Sequence, residues 1–359
     1  MPTAQRFLDV NCYEEAKNRA HHIYDLFDTV LVAFSGGKDS LVCLHLMREV
    51  ALERGDTRPI KTIFRDEEVI PPSVLKFVEG YRNLDWIDLR WYALHLGGTK
   101  YVLGNTSNHN HWEPGRYRPR PIPEWAITNK TLGIPEDHVV TLEEADWLAA
   151  RDEPGKVAIV TGLRAAESLT RHAAMCSKIH DNYINGTKNP RVMTAKPIFD
   201  WQENDVFRYF YDKGILYCPV YDAQLYAGSA LRVSTPLHSD SSKKFGELRA
   251  WAPEFHDELV DQYPEMALQE RYFKYLDRDA VVKKYSQSWD TIMTWINENY
   301  ALDSQRRKAR KMLASARKRA QRSPNAYPLD YVLKQFMSGI DHKNDILPMS
   351  RTEQARRAK

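Results

Sequence analysis

The sequence predicts an α/β protein in which a doubly wound parallel sheet is followed by a C-terminal helical region, and three observations carry that expectation. Short apolar runs without alternation recur between helical patterns, as buried parallel strands do. A glycine-rich turn, Ser35-Gly36-Gly37-Lys38-Asp39-Ser40, joins the first run to a helix. Beyond Ser234 the strand signals stop and helical spacing takes over.

Residues 14–27 read as a helix that leads into the strand Val30-Leu31-Val32-Ala33-Phe34. After the turn, Leu41, Leu44, His45 and Arg48 continue at helical spacing. A second strand, "IKTIF" from Ile60, precedes Asp66-Glu67-Glu68, and Pro71-Pro72 opens a helix reaching Asn83. "WIDLRWYAL" from Trp86 and "KVAIVTG" from Lys156 supply the third and fourth strands. Such alternation places a ligand at the carboxyl ends of the strands. Residues 97–140 read as a long insertion rich in Gly, Asn, His, Arg and Pro, and that length points to function or to disorder. In it, Trp112, Arg116, Arg118 and Arg120 read as a substrate-facing set, while His109 and His111 have no carboxylate or cysteine at ligand spacing. Three units are expected: a nucleotide-binding domain over 1–235, a helical region over 236–345 and a basic tail over 346–359.

The glycines of the turn let the backbone approach a ligand, and the N–H groups and dipole of the helix start attract an anion. Counting excludes the Walker pattern, whose first glycine would fall at Val32 and whose lysine is followed by Ser or Thr; Lys38 is followed by Asp39. In "TGLRAAESLTR", Thr161 to Arg171, Gly162 permits a close turn, and Arg164 and Arg171 offer forked donors suited to phosphate, with Glu167 between them. In the block Ala195–Asp222, Asp200 is expected to cap the helix that carries Asp205. Cys12, Cys43, Cys176 and Cys218 are far apart with no CxxC pair, so neither a structural zinc nor a disulfide framework is expected. No run approaches a membrane span or a signal peptide, which predicts a cytoplasmic protein with no membrane partner.

The loop resembles the PP-loop of the ATP pyrophosphatase, or adenine nucleotide alpha hydrolase-like, superfamily. Taken with Asp66–Glu68, Gly162–Arg171 and Pro197–Asp222, it resembles the phosphoadenosine phosphosulfate (PAPS) reductase family over residues 25–235. The resemblance implies ATP with Mg2+, cleavage between the α and β phosphates, and adenylation of an acceptor. It implies nucleotide contacts at Ala33, Phe34, Ser35, Gly36, Gly37, Lys38, Asp39, Ser40, Asp66, Gly162, Arg164, Glu167 and Arg171. Lys38, Asp39 and Arg164 are the candidate catalytic residues, with Asp39 also the candidate magnesium ligand. The chain departs from the family in lacking its C-terminal Glu-Cys-Gly-x-His segment. Where cluster-binding relatives carry cysteine pairs it reads "AGSALRVSTPLHSD", so no iron–sulfur cluster is expected. In this it is similar to a cysteine-poor branch carried by phages and enterobacterial mobile elements, the immunoglobulin-binding regulator A type among them. Three readings stay open: adenylation of an acceptor; reduction of PAPS or adenylyl sulfate with Cys176 or Cys218 as nucleophile; and nucleotide-dependent regulation without turnover.

Gln305–Arg322 contains nine basic residues and no acidic one; without them the net charge of +3 becomes −6. Ala309, Met312, Leu313, Ala316 and Ala320 recur at helical spacing, which predicts one apolar stripe and a broad basic face. Arg306, Arg307, Lys308, Arg310, Lys311, Arg317, Lys318 and Arg319 are the candidate contacts to DNA or RNA; a protein docking site and a solvated helix face are the alternatives.

Overall fold

The computed structural model describes residues 9–167, 171, 183–273, 278–300, 302–339 and 345–357. Helix α1 (Cys12–Leu26), capped by Asn11, precedes strand β1 (Thr29–Ala33) and helix α2 (Lys38–Glu53). Strand β2 (Ile60–Arg65), helix α3 (Pro72–Arg82) and strand β3 (Ile87–Tyr92) follow. The insertion contributes a hairpin, β4 (Thr99–Val102) and β5 (Asn105–Asn108), which has no apolar alternation to announce it. Helix α4 (Leu142–Ala150) leads to β6 (Val157–Val160), then β7 (Ile184–Gly186) and β8 (Val192–Ala195). Helices α5 (Glu203–Lys213) and α6 (Val220–Tyr226) complete the sheet-bearing part.

The main sheet runs β3-β2-β1-β6-β8-β7, parallel except for β7, which pairs antiparallel with β8. Both faces are covered, which is why the strands do not alternate. Val32, Ala158 and Val160 face a core shared with α1, α2 and α3, whereas Leu31, Ile63 and Ile159 face a second core with Leu148 and Ala149 of α4. The strand order reverses between β1 and β6, so a crevice opens beyond their carboxyl ends.

After residue 238 the described segments are helical, and two further apolar cores form there. In one, Val69 and Leu237 pack with Phe245, Phe255 and Leu259. The other is built around Trp295, Met312, Leu313 and Phe336. One local expectation is corrected: Asp200 does not cap α5. The Gln202 backbone N–H donates to Asp205 in a capping box, and Asp200 instead forms a two-pronged pair with Arg19 at 2.7 Å.

Candidate functional site

The site begins where β1 ends. The Phe34 N–H still donates to Ile63 C=O (2.9 Å), after which the chain turns through Ser35, Gly36 and Gly37. Ser40 braces the turn, its hydroxyl accepting from Ser35 N–H (3.1 Å) and donating to Gly37 C=O (3.0 Å). Gly36 has φ +74°, and a Cβ there would lie 2.8 Å from Val78 Cγ2 and 2.9 Å from Val74 Cγ1. Two independent constraints therefore demand glycine. Gly37 is the N-cap of α2 and brings no side-chain cap, leaving backbone donors of the first turn for an anion.

The adjacent strand supplies the second wall. Beyond β6, Gly162 lies against the first turn of α2, where a Cβ would come within 2.4 Å of the Asp39 carbonyl carbon. Arg164, only 4 % exposed, is held from three directions. Its Nε donates to Asp39 Oδ1 (2.6 Å), Nη1 donates to Trp201 C=O (3.4 Å), and Nη2 lies 3.7 Å from Glu167. Glu167 in turn pairs with Arg171. Burial and the nearby Arg232 and Arg164 guanidiniums lower the Arg171 pKa, which marks a concentration of positive charge.

Lys38, a candidate catalytic residue, is only 5 % exposed. Its Nζ donates to Leu231 C=O (3.1 Å) and pairs with Asp39 and Glu203, both at 3.3 Å. Its backbone N–H donates to the Tyr221 hydroxyl (2.8 Å). Glu203 and Tyr221 are site residues that the sequence reading missed. Their signal was in the Pro197–Asp222 block, which had been given structural roles only.

Asp66 is at the end of β2 but turns away from the turn, its carboxylate taking Trp91 Nε1–H (2.8 Å), Glu68 N–H (3.0 Å) and Arg120. Glu68 accepts from Trp112 N–H (2.7 Å) and pairs with Arg116. Both residues are 1 % exposed, so Asp66 is not open to the nucleotide contact expected of it. The same pairing corrects the substrate-facing role of Arg116 and Arg120, whose guanidiniums clasp the insertion to β2. Arg118 sits 5.9 Å from the Trp112 ring centroid.

His109 and His111 are buried beside this clasp, His109 Nδ1 lying 3.3 Å from Arg116 and Nε2 3.4 Å from the Tyr263 hydroxyl. Burial, then the Arg116 charge, lowers His109 to about 3 and His111 to about 4. The rings stay neutral in the fold at pH values where the unfolded chain protonates them. Stability is therefore complete above pH 6.5 and falls below it, by about 1 kcal/mol per pH unit per ring down to pH 4. Melting temperatures should fall between pH 7 and pH 5, and the fall should be smaller in a His109→Gln, His111→Gln protein. Equal slopes in both proteins would refute this account.

Of the cysteines, Cys43 and Cys218 are fully buried; burial pushes the Cys43 thiol up and Cys218 up to about 11. Neither is a thiolate near neutral pH. Cys176 lies outside the described residues, as do Ser168 to Thr170 of the second motif. Among the described residues no group of three His, Cys, Asp or Glu side chains is placed to hold a metal. No described helix is long and apolar enough to cross a membrane.

A glycine turn and uncapped helix start at the β1–β6 crevice, with a lysine and two arginines around them, define an α/β nucleotide-binding protein of the PP-loop class. Residues 29–229 match the phosphoadenosine phosphosulfate reductase domain, and the chain belongs to that family. A curated relative, the uncharacterized protein YbdN of Escherichia coli K12, is 28% identical over 241 residues, covering 63% of this chain and 58% of that protein. The FMN adenylyltransferase of Candida glabrata, solved with FAD and inorganic pyrophosphate, matches at TM-score 0.39 and 15% identity, over 61% of this chain and 64% of that one. The PAPS reductase of Candida auris, in a phosphate complex, matches at TM-score 0.35 and 16% identity, over 62% and 90%. The chain thus spans less than two thirds of YbdN and of the adenylyltransferase.

Proposed function

We propose that the protein binds ATP with its phosphates on the Ser35–Ser40 loop and cleaves it between the α and β phosphates, adenylating an acceptor. The observation that supports this reading is the union of two strand ends: Gly162 is packed on the first turn of α2 and Arg164 is fixed to Asp39, which sets Arg164 beside the loop and its lysine. An acceptor oxygen or nitrogen attacks the α-phosphorus, the bond to the bridging oxygen breaks, and pyrophosphate leaves with the electron pair. Backbone N–H groups, Lys38 and Arg164 stabilise the charge that develops. Both carboxylate oxygens of Asp39 are taken, Oδ1 by Arg164 and Oδ2 by Lys38, so magnesium arriving on the nucleotide would bind Asp39 only by displacing one of these cations. The thiolate reading draws no support from Cys218, which is buried and protonated. Incubation with α-labelled and γ-labelled ATP tests the proposal: label should appear in AMP or an adenylylated product and in pyrophosphate. ADP plus phosphate would overturn it, and binding without cleavage would leave a nucleotide-dependent regulator.

A nucleic-acid contact is supported by the helix Asp303–Ala320, whose Ala309, Met312, Leu313 and Ala316 are buried in the helical core. Apart from Lys308, which is half-buried at the edge of the stripe, its basic residues divide into two sets. Arg306 pairs with Asp303 (2.5 Å), Arg310 with Asn297 (2.6 Å), Arg317 with Asp290 (3.7 Å) and Arg319 with Asp345. Arg307, Lys311 and Lys318 are exposed on the side opposite the buried stripe, and Arg322 just beyond the helix is exposed as well. The second set carries the proposal. Replacing these four with Gln should make the fall of log affinity with log salt shallower by about 3 to 4 for duplex DNA or RNA, with ATP affinity measured alongside. An unchanged slope would leave a solvated face.

A further inference from the structure

A recess opens beside the phosphate loop, between α6, the segment 227–238 and the short helix Leu248–Trp251. Its cavity volume is about 130 Å³, close to the roughly 150 Å³ that holds a benzene-sized ring, so it encloses about one aromatic ring of a ligand. Two connections tie it to the loop. Leu231, whose carbonyl accepts from Lys38 Nζ, lies between two lining residues, Ala230 and Arg232. Helix α6 presents Tyr221 to the Lys38 backbone and, one turn later, Gln224 to the recess.

The walls differ in chemistry. Gln224 is 2 % exposed and grips the Arg232 backbone at both ends, its Nε2 donating to Arg232 C=O (2.8 Å) and its Oε1 accepting from Arg232 N–H (3.0 Å). Arg232 is therefore fixed at the rim while its guanidinium is exposed and, among the described residues, holds no carboxylate. Lys244 stands on the same recess with Glu247 at 3.9 Å. Leu248, Pro236 and Trp251 add apolar lining with one indole. A basic rim with an apolar lining selects a molecule with an anionic group on an apolar or aromatic body.

We infer that this recess is the acceptor pocket, and that the acceptor is a small organic acid with an apolar body. The acceptor role rests on the adenylation reading; the pocket does not. Asp39, Glu167 and Glu203 are each committed to a cation, so an acceptor that arrives as a carboxylate brings its own nucleophilic oxygen and needs no base. The carboxylate oxygen bonds to the α-phosphorus, the bond to the β-phosphate oxygen breaks, pyrophosphate carries away the electron pair, and no proton moves.

Titration calorimetry with 2-naphthoate, against its neutral isostere 2-naphthamide, reads the pocket directly. Naphthoate should bind in the presence of saturating α,β-methylene-ATP. Arg232→Gln should weaken it about tenfold, the worth of one charged hydrogen bond, and leave naphthamide unaffected. Trp251→Ala should weaken both ligands, with Trp251→Phe as the packing-conservative control. Naphthoate binding that ignores Arg232 and Trp251, or that is mutually exclusive with the nucleotide analogue, would overturn the pocket. Arg232-dependent binding in a protein that never cleaves ATP would instead overturn the adenylation reading and with it the acceptor role.

Discussion

Lys38→Ala should lower ATP cleavage by about 10²- to 10³-fold, the usual cost of removing one preorganised charge donor from a developing phosphate charge. The fold should survive the change. The ammonium is buried, but most of what it leaves behind keeps a partner or reaches water: Asp39 keeps Arg164 at 2.6 Å, the Glu203 side chain is half exposed, and the Leu231 carbonyl, which loses its donor, belongs to a half-buried residue. Loss of the buried ammonium and its contacts should cost about 1–3 kcal/mol. Glu203→Gln is the informative companion. In the absence of ligand Glu203 holds the cation that a phosphate would need, so its removal should leave or raise affinity for α,β-methylene-ATP. Wild-type cleavage by Lys38→Ala, or a Glu203→Gln protein that loses nucleotide affinity, would displace Lys38 from the site.

How much of this was legible in the chain follows from the range of each interaction. The Ser35–Ser40 turn, its flanking strand and helix, and the Gly162-x-Arg164 turn are local, and period and turn chemistry reveal them. Asp66 and Glu68 are not: whether an acidic triplet is solvated depends on Arg120 and Arg116, which lie 54 and 48 residues later in the insertion. Nothing within a helical period announces that pairing. Lys38 shows the same limit, since Tyr221 and Leu231, 183 and 193 residues away, orient its backbone and side chain. The hairpin β4–β5 escaped because "TKYVLGNTSN" has little apolar contrast; its Tyr101 is buried through contacts with Leu237 and the Phe273 ring. The basic helix was legible as amphipathic, while the division of its arginines into paired and exposed sets was not, because Asp290 and Asp345 come from other segments.

Gly162→Ala should abolish nucleotide binding and destabilise the fold, an effect larger than at either glycine of the loop itself. The reason is what the added methyl meets. At Gly37 it would lie 3.2 Å from Ser35 Oγ and 3.3 Å from the Tyr221 hydroxyl, side-chain atoms that can give by a few tenths of an ångström. At Gly36 it would meet two valine methyls and a left-handed φ of +74°, a cost of about 1–3 kcal/mol. At Gly162 it would meet backbone at 2.4 Å from the Asp39 carbonyl carbon, 2.6 Å from its oxygen and 2.6 Å from Ser40 N. Those atoms are the first turn of α2 and cannot move alone. Separating them from the end of β6 would carry Arg164 off Asp39, dismantling the convergence of loop and arginine on which the anion site depends. Melting temperature and α,β-methylene-ATP affinity measured together on the three alanine variants would check the order, with Gly37→Ala mildest and Gly162→Ala most severe. A Gly162→Ala protein that binds the analogue as tightly as the parent would show that the approach of the two strand ends is not what forms the site.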